Sequence, residues 1–150
     1  MKIKVYLIIT ILVFTASLLW AQEKGYFNND ELTGTWIIDS YAEQRAGLAE
    51  HAQKYIIYQW GYWENFGNKE SNVYMHRGTL QISDKWTDSK GNTLYKAFVI
   101  NEDFPTARYD LGRISKDGSR WEYAYSYSDF PTESDLNTEN TYYLIYYRQE

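Results

Sequence analysis

Between residues 120 and 128, Trp121, Tyr123, Tyr125 and Tyr127 alternate without interruption with Arg120, Glu122, Ala124 and Ser126. Only an extended strand puts every second side chain on one face, so this stretch is a strand with one wholly aromatic side. A lone strand cannot bury such a side; it needs a sheet and something packed against it. The same period recurs elsewhere. Residues 73–83 put Tyr74, His76, Leu80 and Ile82 on one face, with Gly78 suggesting a bulge. Residues 141–148 are apolar on both faces, from Tyr142 through Tyr147. Aromatic residues make up 19% of the chain against only 2 prolines, which is a strand-favouring balance.

Further strands are expected over 33–39, 54–60, 62–66, 93–100 and 108–115, separated by turn residues. Asp88-Ser89-Lys90-Gly91-Asn92 and Lys116-Asp117-Gly118-Ser119 are good hairpin turns, and Gly61 offers a third. The count is eight strands if the Gly61 hairpin forms and seven if it does not. Parity favours eight. In an eight-stranded antiparallel up-and-down barrel the first and last strands are neighbours. The turns at Gly61, Gly91 and Gly118 then share one rim with Arg148, near Trp36. The long connections collect on the opposite, open rim. One of these is a short helix over 41–53, opened by a capping box of Ser40 with Glu43. Asp103-Phe104-Pro105-Thr106 recurs as Asp129-Phe130-Pro131-Thr132, and both copies are expected on that open rim.

Residues 1–21 read as a secretory signal peptide, with Lys2 and Lys4 ahead of an apolar run ending near Ala21. The alternative is an uncleaved anchor, although the run falls slightly short of the ~20 residues a spanning helix needs. No cysteine follows it for lipid attachment. Residues 22–31 form a polar leader and 32–150 the barrel domain. Cleavage would take the formal charge from −5 to −7 by removing Lys2 and Lys4. Nucleic acid and anionic membrane surfaces are then poor partners, leaving the membrane only to the signal segment. With no cysteine, an exported domain must hold itself by packing and hydrogen bonds alone. This favours a bacterial secreted or periplasmic setting.

The segment Leu32-Thr33-Gly34-Thr35-Trp36 carries a glycine and a tryptophan two apart, on one face of a strand. It resembles the Gly-x-Trp signature that opens the lipocalins and the wider calycin group. It is especially similar to the start of bacterial lipocalin-like domains. Gly61-Tyr62-Trp63 matches the same pattern, so specificity comes from position: first strand, just after the signal. The resemblance implies that Trp36 closes the barrel floor and that Arg148, near the C-terminal end, packs over its indole. A helix after the first strand is similar to the lid of the fatty-acid-binding branch.

These readings make the chain an all-β, monomeric, lipocalin-like barrel that binds a small hydrophobic or amphipathic molecule in its lumen. Trp121, Tyr123, Tyr125 and Tyr127 are the candidate lining, and as plain core they would serve equally well. Tyrosine hydroxyls need partners that water or a ligand can supply. His76 is a candidate contact or a structural histidine, while His51 belongs to the expected helix. Phe104 and Phe130 would flank the mouth, or simply accompany turns. The alternative is a protein-interaction or inhibitor module using those rim loops. No elbow nucleophile, phosphate loop, metal-ligand spacing or cofactor motif occurs. An enzyme would need two carboxylates, or His76 with a carboxylate, converging in the cavity.

Overall fold

The computed structural model describes residues 30–39 and 52–150. The signal segment, most of the leader, and the expected helix over 41–53 except for its last two residues lie outside the described residues.

Eight strands follow in order: β1 (Gly34–Ile38), β2 (Lys54–Ile57), β3 (Tyr62–Phe66), β4 (His76–Thr87), β5 (Thr93–Asn101), β6 (Phe104–Ile114), β7 (Arg120–Ser126) and β8 (Tyr143–Arg148). Each pairs antiparallel with the next, and β1 pairs with β8 with Trp36 opposite Arg148, closing the barrel. The Gly61 hairpin forms, so the count is eight. Its turn puts Trp60 and Gly61 at positive φ, 67° and 80°. Only glycine takes that geometry freely.

Several boundaries differ from the sequence reading. β4 begins at His76, leaving Tyr74 before the strand. The irregularity in β4 lies between Ile82 and Asp84 rather than at Gly78. Gly78 instead lets two strands approach, since a Cβ there would sit 1.9 Å from the carbonyl oxygen of Ile100. The connection after β5 is a tight turn, because Asn101 already pairs with Phe104. The first Asp-Phe-Pro-Thr copy thus runs from that turn into β6, whereas the second lies in the loop after β7. Identical tetrapeptides adopt different roles because pairing partners, not local propensity, decide them.

Both faces of the wall from β5 to β8 are buried. Inside, Trp36, Tyr55, Tyr95, Trp121, Tyr123, Leu144 and Tyr146 form the main core. Outside, Leu94, Leu111, Ala124, Tyr143 and Ile145 form a second cluster capped by Leu136 from the loop after β7. This explains why β8 is apolar on both sides. On the outer face Glu122, 2% exposed, accepts hydrogen bonds from Arg113 and Tyr143 and lies 2.9 Å from Arg120. Hydrogen bonds to a charged group contribute roughly 1.5 to 3 kcal/mol. Glu122→Gln is therefore expected to destabilise by about 2 to 3 kcal/mol, seen as a lower urea midpoint with an unchanged slope. An unchanged midpoint would mean that water already satisfies the two arginines.

At the closed rim Trp36 is fully buried, and its indole N–H donates to the Leu32 carbonyl at 2.7 Å. The Arg148 guanidinium lies over the indole, 4.3 Å from the ring centre. It donates to the carbonyls of Glu31 at 2.5 Å, Thr33 at 2.6 Å and Gly118 at 2.9 Å. A Cβ at Gly34, whose φ is 138°, would stand 2.7 Å from Arg148 Nη1. The glycine is what leaves the arginine its seat.

Candidate functional site

The floor half of the lumen is solid. Trp121 stacks on Tyr123 with ring centres 4.8 Å apart and meets Trp36 edge-on at 5.6 Å. Its indole N–H donates to the Tyr95 hydroxyl at 2.6 Å. Tyr95 in turn lies where a side chain at Gly112 would be, as a Cβ there would fall 2.1 Å from the Tyr95 ring. Small beside large fills the taper of the barrel.

Above this plug the lumen opens into a cavity of about 460 Å³, within the range of small-molecule sites. Its deeper wall includes Tyr55, Trp63, Tyr123 and Tyr146, and its mouth includes Met75, Phe104 and Tyr127. β6 supplies one side as a ladder of alternate residues. Phe104, Thr106 and Arg108 face the cavity, and Asp110 lies beneath them, fully buried. Arg108 grips Asp110 with both ends of its fork, Nε to Oδ1 and Nη2 to Oδ2, each at 2.7 Å. Its guanidinium is flanked by the rings of Tyr125 at 4.8 Å and Tyr123 at 5.2 Å. Because Arg108 points inward, the 18% exposure of its side chain is exposure to the cavity.

Burial raises the Asp110 carboxyl above its usual range, and the Arg108 charge opposes that rise. Burial is the largest influence on Arg108 and works against its charge, but Asp110 together with the Tyr123 and Tyr55 hydroxyls outweighs it, and the guanidinium is held well above its ordinary value. The pair is a buried, internally neutral dipole. Burial also pushes the Tyr125 hydroxyl up to about 12, against the pull of Arg108. Two buried side-chain polar atoms among the described residues lack a hydrogen-bond partner, Trp63 Nε1 and Tyr123 Oη. Both belong to residues that line this cavity.

Of the residues singled out from the sequence, Tyr123, Tyr125, Tyr127, His76 and Phe104 meet at the cavity. Tyr127 falls past the end of β7 and is 61% exposed at the mouth. Trp121 lies in the plug below. Phe130 is elsewhere. It packs against Phe98 and Tyr109 with ring centres 5.1 and 5.2 Å apart. Those residues alternate with the lining positions, which puts the contact on the outer wall. His76 Nδ1 lies 3.1 Å from Asp103 Oδ2, and the His76 ring meets Phe104 edge-on. The Asp103 side chain is 55% exposed and does not line the cavity, so this pair belongs to the rim. The described residues hold no group of three or more His, Cys, Asp or Glu able to bind a metal.

Arg108 and Asp110 escaped the sequence reading. On β6 the apolar set Tyr109 and Leu111 alternates with Arg108, Asp110 and Gly112. Polarity alone would turn the first set inward. The loop after β7 covers the outer wall and reverses that logic. The available signal was Gly112, which leaves room for Tyr95 on the inward side.

Compared with protein-family models, curated proteins and solved structures, the chain matches none of them.

Proposed function

We propose that this chain is an exported, monomeric, lipocalin-like barrel that binds a small hydrophobic or amphipathic molecule in the upper lumen, without chemical conversion. The observation that carries the reading is the cavity itself, open at one rim and walled by tyrosines above a solid plug. A barrel serving only as a scaffold for rim loops has no need of a lumen with unsatisfied polar groups. The two Asp-Phe-Pro-Thr copies also fail to form a common surface, one entering β6 and the other lying along the outer wall. The motif around Trp36, its clasp by Arg148 and the closed eight-strand order agree with the lipocalin-like resemblance. The apolar N-terminal run and the absence of cysteine favour a secreted or periplasmic location.

Trp63 lines the cavity and reports on it. Titration with a panel of ring- or hydroxyl-bearing amphiphiles is expected to change tryptophan emission for at least one class. Native mass spectrometry of protein from its own host is expected to show an added small-molecule mass. A silent panel together with a bare mass would overturn the reading.

A further inference from the structure

The polar groups that face the cavity are not balanced between donors and acceptors. Trp63 Nε1 and Tyr123 Oη have no partner but are closed off even from the cavity, so what a ligand meets is set by the groups around them. Arg108 spends Nε and one Nη2 hydrogen on Asp110, and its other N–H groups have no hydrogen bond among the described residues. Asn65 and Asn101 also line the cavity, and both have committed Oδ1, to the backbone N–H of His76 and of Asp103 respectively. Asn65 also donates one Nδ2 hydrogen to the Tyr55 hydroxyl at 3.4 Å, and what these amides have left to offer is N–H. Among the described residues the one carboxylate in the lumen, Asp110, lies below the lining and is occupied on both oxygens by Arg108. The groups able only to donate are therefore Arg108 and the two amides, the hydroxyls of Thr106, Tyr125 and Tyr127 serve either way, and the Arg108 charge is already cancelled.

We infer that the ligand is a neutral amphiphile carrying an uncharged hydrogen-bond acceptor, such as an amide, ester or ketone carbonyl, seated against the lumenal edge of Arg108. This rests on the lumenal binding proposed above and narrows its ligand class. A carbonyl oxygen satisfies the spare N–H groups without adding charge. A carboxylate would bring a second negative charge to a guanidinium that Asp110 already neutralises, in a place where burial makes net charge costly. The apolar part of the ligand would extend past Tyr125 toward Phe104 at the mouth.

Three ten-carbon probes test this on the wild-type protein near neutral pH, with affinity read from tryptophan emission and calorimetry: decanamide, methyl decanoate and decanoate. Decanamide and decanoate share nearly the same shape and differ in charge. The expected order places both neutral probes at least tenfold tighter than decanoate. Asp110→Asn, which leaves the guanidinium charge uncancelled, is expected to reverse the order by strengthening decanoate. Arg108→Met is expected to weaken the neutral probes severalfold and to erase the discrimination. Decanoate binding as tightly as decanamide in the wild type would overturn the inference and leave lumenal binding standing, as would an unchanged order in a folded Asp110→Asn protein. If none of the three probes binds, the inference falls, and a silent wider panel then removes the lumenal reading with it. The wild-type comparison needs no variant, so it decides even where the Asp110 substitution prevents folding.

Discussion

Replacing Trp36 with alanine is expected to remove about 3 to 5 kcal/mol of stability, the range seen when a large aromatic is cut from a core. Trp36 has no exposed surface, so the whole ring would leave a void. The void would be hard to refill. Trp121 meets the ring edge-on, and Arg148 covers it while fixed by three carbonyls from both sides of the barrel seam. Losing the indole also strips the guanidinium of a cation–π contact worth roughly 0.5 to 2 kcal/mol and leaves the Leu32 carbonyl without its donor. For a domain of this size the melting temperature is expected to fall on the order of 10 to 20 °C. A fall of only a degree or two would show that Trp36 does not hold the floor. The milder Trp36→Phe is expected to leave ligand affinity unchanged, because the plug of Trp121 and Tyr95 separates the floor from the cavity.

That separation orders the molecule from one rim to the other. The turns at Gly61, Gly91 and Gly118, the Gly34 seat and the Arg148 clasp stabilise one end, and the wall of Tyr123, Tyr125 and Arg108 shapes the other. Parity of the turn signals was enough to establish this polarity from sequence, because Gly61, Gly91 and Gly118 mark every second connection. Trp36 opposite Arg148 follows from the same count. The aromatic row of β7 was legible as one face, yet its depth was not. Periodicity assigns a side and says nothing of height, so Trp121 in the plug and Tyr127 at the mouth look equivalent in sequence. Phe130 was misplaced for a different reason. A loop long enough to reach the mouth is also long enough to fold back, and Leu136 and Phe130 gain burial by covering Leu111, Tyr109 and Phe98. The Arg108–Asp110 pair was hidden because a charged residue in a strand ordinarily marks the wet face. Here the charged face turns inward instead, and its two charges cancel each other.

Raising the pH above 10 is expected to unfold the barrel cooperatively, through its buried tyrosines. Burial raises the hydroxyl pKa of Tyr95, Tyr123 and Tyr146, with neighbouring negative or phenolic groups adding to it: Asp110 for Tyr95, Tyr146 and Tyr55 for Tyr123, and Tyr55 for Tyr146. The folded pKa exceeds the unfolded value of about 10, so between the two the folded chain holds more protons than the unfolded one. Stability is then fully present below pH 10 and falls as pH rises beyond it, by about 1.4 kcal/mol per pH unit for each such tyrosine. These three alone give on the order of 4 kcal/mol per unit, and Tyr125 and Tyr143, whose hydroxyls burial also raises, add to it, enough to exhaust an ordinary domain's stability within two or three units. Circular dichroism and tyrosinate absorbance should therefore change together, with a late, steep phase that follows the gradual ionisation of exposed tyrosines. Tyr123→Phe makes the assignment specific, since the Tyr123 hydroxyl has no hydrogen bond of good geometry to lose, only a longer approach to the Tyr146 hydroxyl. Its removal deletes one proton from the balance and is expected to reduce the slope of stability against pH by about 1.4 kcal/mol per unit. An unaltered slope, or tyrosines that all titrate near 10 in a folded barrel, would mean that water reaches the rings through the cavity, and the plug would have to be redrawn as a wet lumen.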